Sequence, residues 1–210
     1  GGNLATPGVQ VTLALGPADT RKGTLMRATD AAGVATFSDL SVAAPVGASY
    51  ALTATATGYL TEVSNSFAVT VGAPSQLSFT QQPPASVTVG VAIVPAASVQ
   101  LRDAGGNAVP QAGTTVTLTM SGGGSLTNGA VATNASGLAV FSGLSVSATA
   151  GAGYTLSAAA TGLAPRGSTS FSVVAGAGAR LNFVTQPSAV AAGAIITPSV
   201  TVEALDAAGN

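Results

Sequence analysis

Residues 134–146 read Asn-Ala-Ser-Gly-Leu-Ala-Val-Phe-Ser-Gly-Leu-Ser-Val, and residues 30–42 read Asp-Ala-Ala-Gly-Val-Ala-Thr-Phe-Ser-Asp-Leu-Ser-Val. Eight of the thirteen positions are identical at an offset of 104. Inside the stretch the pattern alternates, with Ala139 and Phe141 on one side and Leu138, Val140 and Ser142 on the other. A period of two belongs to a β-strand, whose successive side chains take opposite faces. Asn134 and Gly137 precede the strand, and both residue types tolerate the positive φ that tight turns need. A turn and a short strand recurring at a fixed, long period predict an all-β protein made of copies of one unit.

Working outward, the same offset aligns Tyr50 with Tyr154, Leu52 with Leu156, Thr57-Gly58 with Thr161-Gly162, and Phe67 with Phe171. It continues through Leu77 and Leu181, Phe79 and Phe183, and Gln82-Pro83 and Gln186-Pro187. One residue is then lost, so that Gly90 pairs with Gly193, Pro95 with Pro198 and Asp103 with Asp206. Gly-Gly-Asn stands at 1–3 and again at 105–107, and Gly209-Asn210 closes the chain.

Further runs alternate in the same way. Val116, Leu118 and Met120 share a face, as do Val11, Leu13 and Leu15. So do Tyr154, Leu156 and Ala158, then Phe171 and Val173, and in an earlier strand Ala97, Val99 and Leu101, matched by Val200, Val202 and Ala204. Gly- and Asn-rich turns punctuate these runs, and no window shows a helical stripe. About seven short strands in about 100 residues predict antiparallel β-sandwiches. Gly151-Ala-Gly-Tyr154-Thr-Leu156 and Gly47-Ala-Ser-Tyr50-Ala-Leu52 place a Tyr two residues before a core position. In immunoglobulin folds a Tyr so placed bonds its hydroxyl to upstream backbone, and the core position is often Cys. Here Leu replaces the Cys, and a tyrosine corner is expected in both copies.

The combined pattern resembles the bacterial immunoglobulin-like tandem repeats of the invasin and intimin type. The residues that carry it are Asp103, Gly106, Asn107, Val116, Leu118, Asn134, Gly137, Ala139, Phe141, Leu144, Tyr154, Leu156 and Gly162. The resemblance covers both periods. It implies a stalk or spacer role, since such repeats mostly hold a separate binding tip away from the cell, and nothing in this chain resembles a tip. On this reading residues 1–73 form an immunoglobulin-like unit lacking its first strands, 76–174 a complete unit, and 178–210 the first strands of a further unit. Both ends then fall at one internal turn. Two arrangements follow: a window into a long repetitive fibre, or subunits whose C-terminal strands complete a neighbour by strand addition.

Composition narrows the functions. Charged residues make up 6% and hydrophobic ones 47%, against about 25% charge in ordinary domains. Such a surface is poorly protected against self-association. It is expected to associate, to carry sugars on Ser and Thr, or to be covered by neighbouring domains. A net charge of −1 argues against nucleic acid, which is held by clustered Lys and Arg, and against a polybasic membrane anchor. No apolar run approaches the 18 residues of a membrane span; the most apolar window, 87–99, is broken by Gly90 and Pro95. Asp19, Arg21, Lys22, Arg27, Asp30 and Asp39 concentrate charge of both signs in one region, read as a solvated loop and strand edge.

Catalysis is not expected. The chain has no His and no Cys, and acid–base, nucleophilic and zinc sites lean on those residues. Asp103 and Asp206 occupy one position in successive copies, so they cannot act as a carboxylate pair. Asp103-Ala-Gly-Gly-Asn107 and Asp206-Ala-Ala-Gly-Asn210 each offer calcium one Asp and one Asn, but six to eight oxygens are needed, and an Asx turn is the better reading. The same holds for Asn134-Ala-Ser136, which fits the N-glycosylation pattern yet matches Asp30 in the other copy. No catalytic, cofactor or metal residue is therefore assigned. A glycan-binding module would want an aromatic platform, and Tyr59, whose counterpart is Leu163, is the one unmatched aromatic. The leading expectation is a non-catalytic structural repeat of an extracellular or cell-surface bacterial filament whose partner is itself. An adhesin stalk and a glycan-binding module stand as the alternatives.

Overall fold

The computed structural model describes the backbone of residues 7–15 and 21–210 and, except at Arg21 and Ala48, their side chains. The Gly-Gly-Asn at 1–3 and Asp19 lie outside the described residues. Every regular element among those described is a β-strand, and no helix is long and apolar enough to cross a membrane. The chain forms two compact units. One takes in the described residues up to Gln76 together with Arg102–Val109, and the other takes in Leu77–Leu101 and Pro110–Asn210.

The second unit contains a β-sandwich. One sheet runs in the order Ala130–Ala132, Thr115–Met120, Leu156–Ala159, Arg166–Gly167, antiparallel throughout. Leu138–Val140, Ser98–Arg102 and Gln76–Gln81 form another. In a third, Phe171–Val174 lies between Ser86–Thr88, a parallel neighbour, and Gly151–Tyr154, an antiparallel one. The alternation in the sequence becomes burial: Val116 is 0% and Leu118 4% exposed while Thr117 and Thr119 face solvent. Phe141, Leu144, Leu156, Val99 and Leu101 are fully buried. Each such side chain contributes roughly 1.5–3 kcal/mol over an exposed one, so this core is the main stabilising term.

Residues 180–205 of the same unit form a two-stranded antiparallel hairpin, Arg180–Thr185 with Thr201–Leu205. Its apolar residues repeat those of the sandwich, but they are open to solvent. Leu181 is 75% exposed where Leu77 is 3%, and Val202 is 48% exposed where Val99 is 0%.

The first unit carries the same four-stranded sheet as the second, in the order Met26–Ala28, Gln10–Leu15, Leu52–Thr55, Glu62–Val63. Leu13 opposes Ala54 just as Leu118 opposes Ala158. Gly47–Tyr50 pairs with Phe67–Val69, and Arg21–Lys22 with Ser41–Val42. Phe37 and Leu40 are only partly buried, whereas their counterparts Phe141 and Leu144 are completely so. Residues 34–38 form no strand, although their counterparts at 138–140 do.

The charged region behaves as a surface feature. Asp39 accepts from the Thr24 backbone N–H at 3.0 Å, the Thr24 hydroxyl at 2.7 Å and Arg27 Nη2 at 3.1 Å. These hydrogen bonds, those from Thr24 first, hold its carboxyl down at about 2.

Candidate functional site

The most elaborate polar arrangement is built twice, at the two Asp-x-x-Gly-Asn turns. Asp103 sets its own turn: Oδ1 accepts from the backbone N–H of Gly105 at 2.9 Å and of Asn107 at 2.8 Å. This is the Asx turn expected from the sequence. Oδ2 turns outward and accepts the N–H of Gly72 at 2.9 Å. Asn107 Nδ2 bridges both carboxylate oxygens at 3.0 Å and also donates to the Ala44 carbonyl at 3.0 Å. Asn107 Oδ1 accepts the N–H of Val46 at 2.8 Å. One Asp and one Asn thus fasten the loop, residue 72 and the segment 44–46 together, all inside the first unit.

The second unit repeats the arrangement, except that its Asn amide reaches one carboxylate oxygen where Asn107 reaches both. Asp206 Oδ1 accepts from Ala208 and Asn210 N–H, each at 2.9 Å. Its Oδ2 accepts from Gly176 N–H at 2.8 Å and Asn210 Nδ2 at 2.9 Å. Asn210 Oδ1 accepts the N–H of Ala150 at 2.6 Å, and its Nδ2 donates to Ala148 O at 3.0 Å.

The tyrosine corner holds the other side of the same segment. Tyr50 Oη donates to Pro45 O and Tyr154 Oη to Thr149 O, both at 2.8 Å. Each Tyr ring also packs on the following Phe, Tyr50 on Phe67 and Tyr154 on Phe171, with centroids 6.3 Å apart. Residues 44–46 and 148–150 are therefore gripped from two directions, by a Tyr hydroxyl and by an Asn amide.

Electrostatics follow from this geometry. Burial pushes the Asp103 carboxyl up, but the N–H donors of Gly72, Asn107 and Gly105 outweigh it and hold the group below its ordinary value. The Asn210 side chain, followed by Gly176 N–H, lowers Asp206 to about 2. A carboxylate that accepts several N–H bonds stays ionised. Those donors occupy the oxygens a calcium ion would need, and among the described residues no group of three or more His, Cys, Asp or Glu comes together. Asn134 likewise spends its Oδ1 on the N–H groups of Ser136 and Leu138, at 2.9 and 3.1 Å, as Asp30 does on Ala32 and Val34.

The sequence reading found the turns but missed what they fasten. The available signal was the Asn that ends each turn. Asp alone makes an Asx turn, so a second amide side chain recurring at Asn107 and Asn210 called for another partner. Tyr59, the candidate glycan platform, is 51% exposed at the rim of an open depression of about 220 Å³ lined also by Val9, Val11, Ala54 and Leu60.

Facing antiparallel sheets, an alternating core and two tyrosine corners define the class: an immunoglobulin-like β-sandwich protein. No protein-family model matches the chain, and no curated protein matches it either. Solved structures do match. The D0-D1 domain of intimin is 18% identical over 81% of this chain and 83% of that chain, with a TM-score of 0.34. A beta-glycosidase from Bacteroides vulgatus is 15% identical over 79% of this chain and 21% of that chain, with a TM-score of 0.41. The surface layer protein SbsC, domains 1–6, is 17% identical over 96% of this chain and 29% of that chain, with a TM-score of 0.27.

Proposed function

We propose that this chain is a non-catalytic structural segment of an extracellular bacterial surface fibre, built from tandem repeats of the invasin and intimin type and associating end to end. The observation that carries the reading is the doubled seat: Asp103–Asn107 and Asp206–Asn210 make the same contacts one repeat apart. Each seat pins one amide of a short connecting segment, Gly72 or Gly176. Fixing a backbone residue costs roughly 1–2 kcal/mol of conformational entropy. A sequence that meets this cost in the same way one repeat later supports tandem copies of one structural unit. The charge-poor composition supports association, since few charged groups have to be desolvated when surfaces meet. The tandem units are the proposed domain plan, and the chain's proposed partner is itself.

Negative-stain electron microscopy of material stripped from cells and labelled with antibody to this chain tests the reading. Ordered filaments of many subunits are expected. Isolated thin stalks ending in a distinct tip would instead establish the adhesin-stalk role. Label confined to soluble, unassembled protein would overturn both.

A further inference from the structure

We infer that Asn128-Gly129 is a site of spontaneous modification: ring closure between the two residues converts Asn128 to aspartate or isoaspartate, and the conversion releases a strand pair that Asn128 fastens. The inference goes beyond the fibre reading and does not depend on it. Asn128 is followed by Gly, which none of Asn3, Asn65, Asn107, Asn134 and Asn182 is. Glycine has no side chain to shield its nitrogen from the preceding residue. Asn128 is exposed, so water reaches its amide. Among the described residues the Gly129 N–H meets no acceptor, so that nitrogen is not engaged elsewhere.

Asn128 closes the end of a ladder. It directly follows Ser125–Thr127, which pairs antiparallel with Ser145–Ser147, Leu126 opposite Val146 and Thr127 opposite Ser145. Its Nδ2 donates to the carbonyl of Gly143 at 3.1 Å, one step beyond the last pair. Val146, just inside this clasp, is a buried core residue. The first unit closes the corresponding end with other chemistry. There Arg21–Lys22 pairs with Ser41–Val42, and the backbone N–H and hydroxyl of Thr24 donate to Asp39, the counterpart of Gly143. That copy has no Asn between 21 and 42. The same clasp thus exists in a form that ages and a form that does not.

The reaction balances with water alone. When the Nδ2–Gly143 bond opens, the Gly129 backbone nitrogen attacks Cγ of Asn128. The N–Cγ bond forms, the Cγ–Nδ2 bond breaks, and Nδ2 leaves as ammonia with the proton lost from the Gly129 nitrogen. Water then opens the cyclic imide at either carbonyl, which returns the proton to that nitrogen and leaves aspartate or isoaspartate. The product cannot refasten. A carboxylate is an acceptor without a donor, so it meets the Gly143 carbonyl oxygen acceptor to acceptor. Isoaspartate also reroutes the backbone through the side chain. The step is one-way, so loosened strand pairs accumulate with the age of the molecule.

The test ages the full chain in mildly alkaline buffer and follows it by isoelectric focusing, peptide mass mapping and hydrogen exchange. Each event adds one negative charge to a chain of net charge −1, so an acidic species should grow with time and map to residue 128 as aspartate and isoaspartate. Conversion there should outrun that at Asn134, which Ala follows, by roughly tenfold or more, because Gly leaves its nitrogen unshielded. Asn128→Gly is the control: φ is 59° at this position, which Gly adopts freely, and the acidic species should be absent. In aged protein and in fresh Asn128→Asp, amides of 125–127 and 145–147 should exchange about 2- to 10-fold faster, the factor one lost hydrogen bond gives. Amides of Thr115–Met120 should be unchanged. Equal conversion at Asn128 and Asn134, or the same acidic species in Asn128→Gly, would overturn the site. Aged protein converted at 128 whose strand pair exchanges as before would overturn the release.

Discussion

Phe141 and Phe37 stand at the same place in the same sequence motif, yet one is sealed from water and the other is only partly buried. The difference does not lie in the four-stranded sheet. Leu118 and Leu13 face the same partners in the same register, and the two tyrosine corners match in bond length and ring packing. It lies in what sits opposite. In the second unit, Leu77, Val99 and Leu101 close the core. In the first unit no described strand takes that role, while the hairpin at 180–205 offers the same residues to solvent. Identical local patterns thus reach different burial because hydrophobic stabilisation scales with area removed from water, and only a second sheet can remove it.

The largest test of this comparison is a pair of deletions. Phe141→Ala should destabilise the second unit by about 3–5 kcal/mol, the range for a buried Phe. Phe37→Ala in the dilute chain should cost roughly 1–2 kcal/mol, measured by urea unfolding. Equal losses would mean that the first unit has a cover of its own. A smaller effect should be the same in both units: Tyr154→Phe and Tyr50→Phe each lose one hydroxyl bond, at about 0.5–1.5 kcal/mol. Unequal values would show that the corners, too, depend on the covering sheet.

The seats sharpen the comparison through pH. Asp206 is held at about 2 in the folded chain, against an ordinary 3.8. A depressed carboxyl contributes stability above its unfolded value and loses it as pH falls through the folded one. The Gly176 amide resonance should therefore titrate with a midpoint near 2, and Asp206→Asn should abolish that titration. At Asp103, also lowered, replacement by Ala should speed hydrogen exchange at the Gly72 amide and leave Gly176 unchanged. The smallest effect is expected at Gly105. A Cβ there would run into the carbonyl oxygen of Ala44, yet the counterpart in the other seat is Ala208. Gly105→Ala should thus lower the melting temperature only slightly, because the second seat shows that the loop can make room.

Much of the fold was legible in the residues. The alternation of Val116, Leu118 and Met120 decided the strand and its inner face, and the repeated Tyr two places before a Leu announced the corner. These are local signals, set by side chains a few positions apart. The Asp in each turn was legible as well, since its Asx turn closes within four residues. Its outward oxygen was not, because Gly72 lies 31 residues away from Asp103, and Ala44 lies 63 away from Asn107. Nothing local in a sequence records which distant amide a carboxylate will meet.

By itself, then, the sequence determined the strand period, the repeat length, the turns and the absence of His and Cys chemistry, because each of these is written in residue type and short spacing. The tertiary structure alone decided that the Asn of each turn grips an edge gripped also by a Tyr, and that one copy of the apolar pattern is buried while another is bare. Both depend on which surfaces meet in space, and burial is a property of a pair of faces.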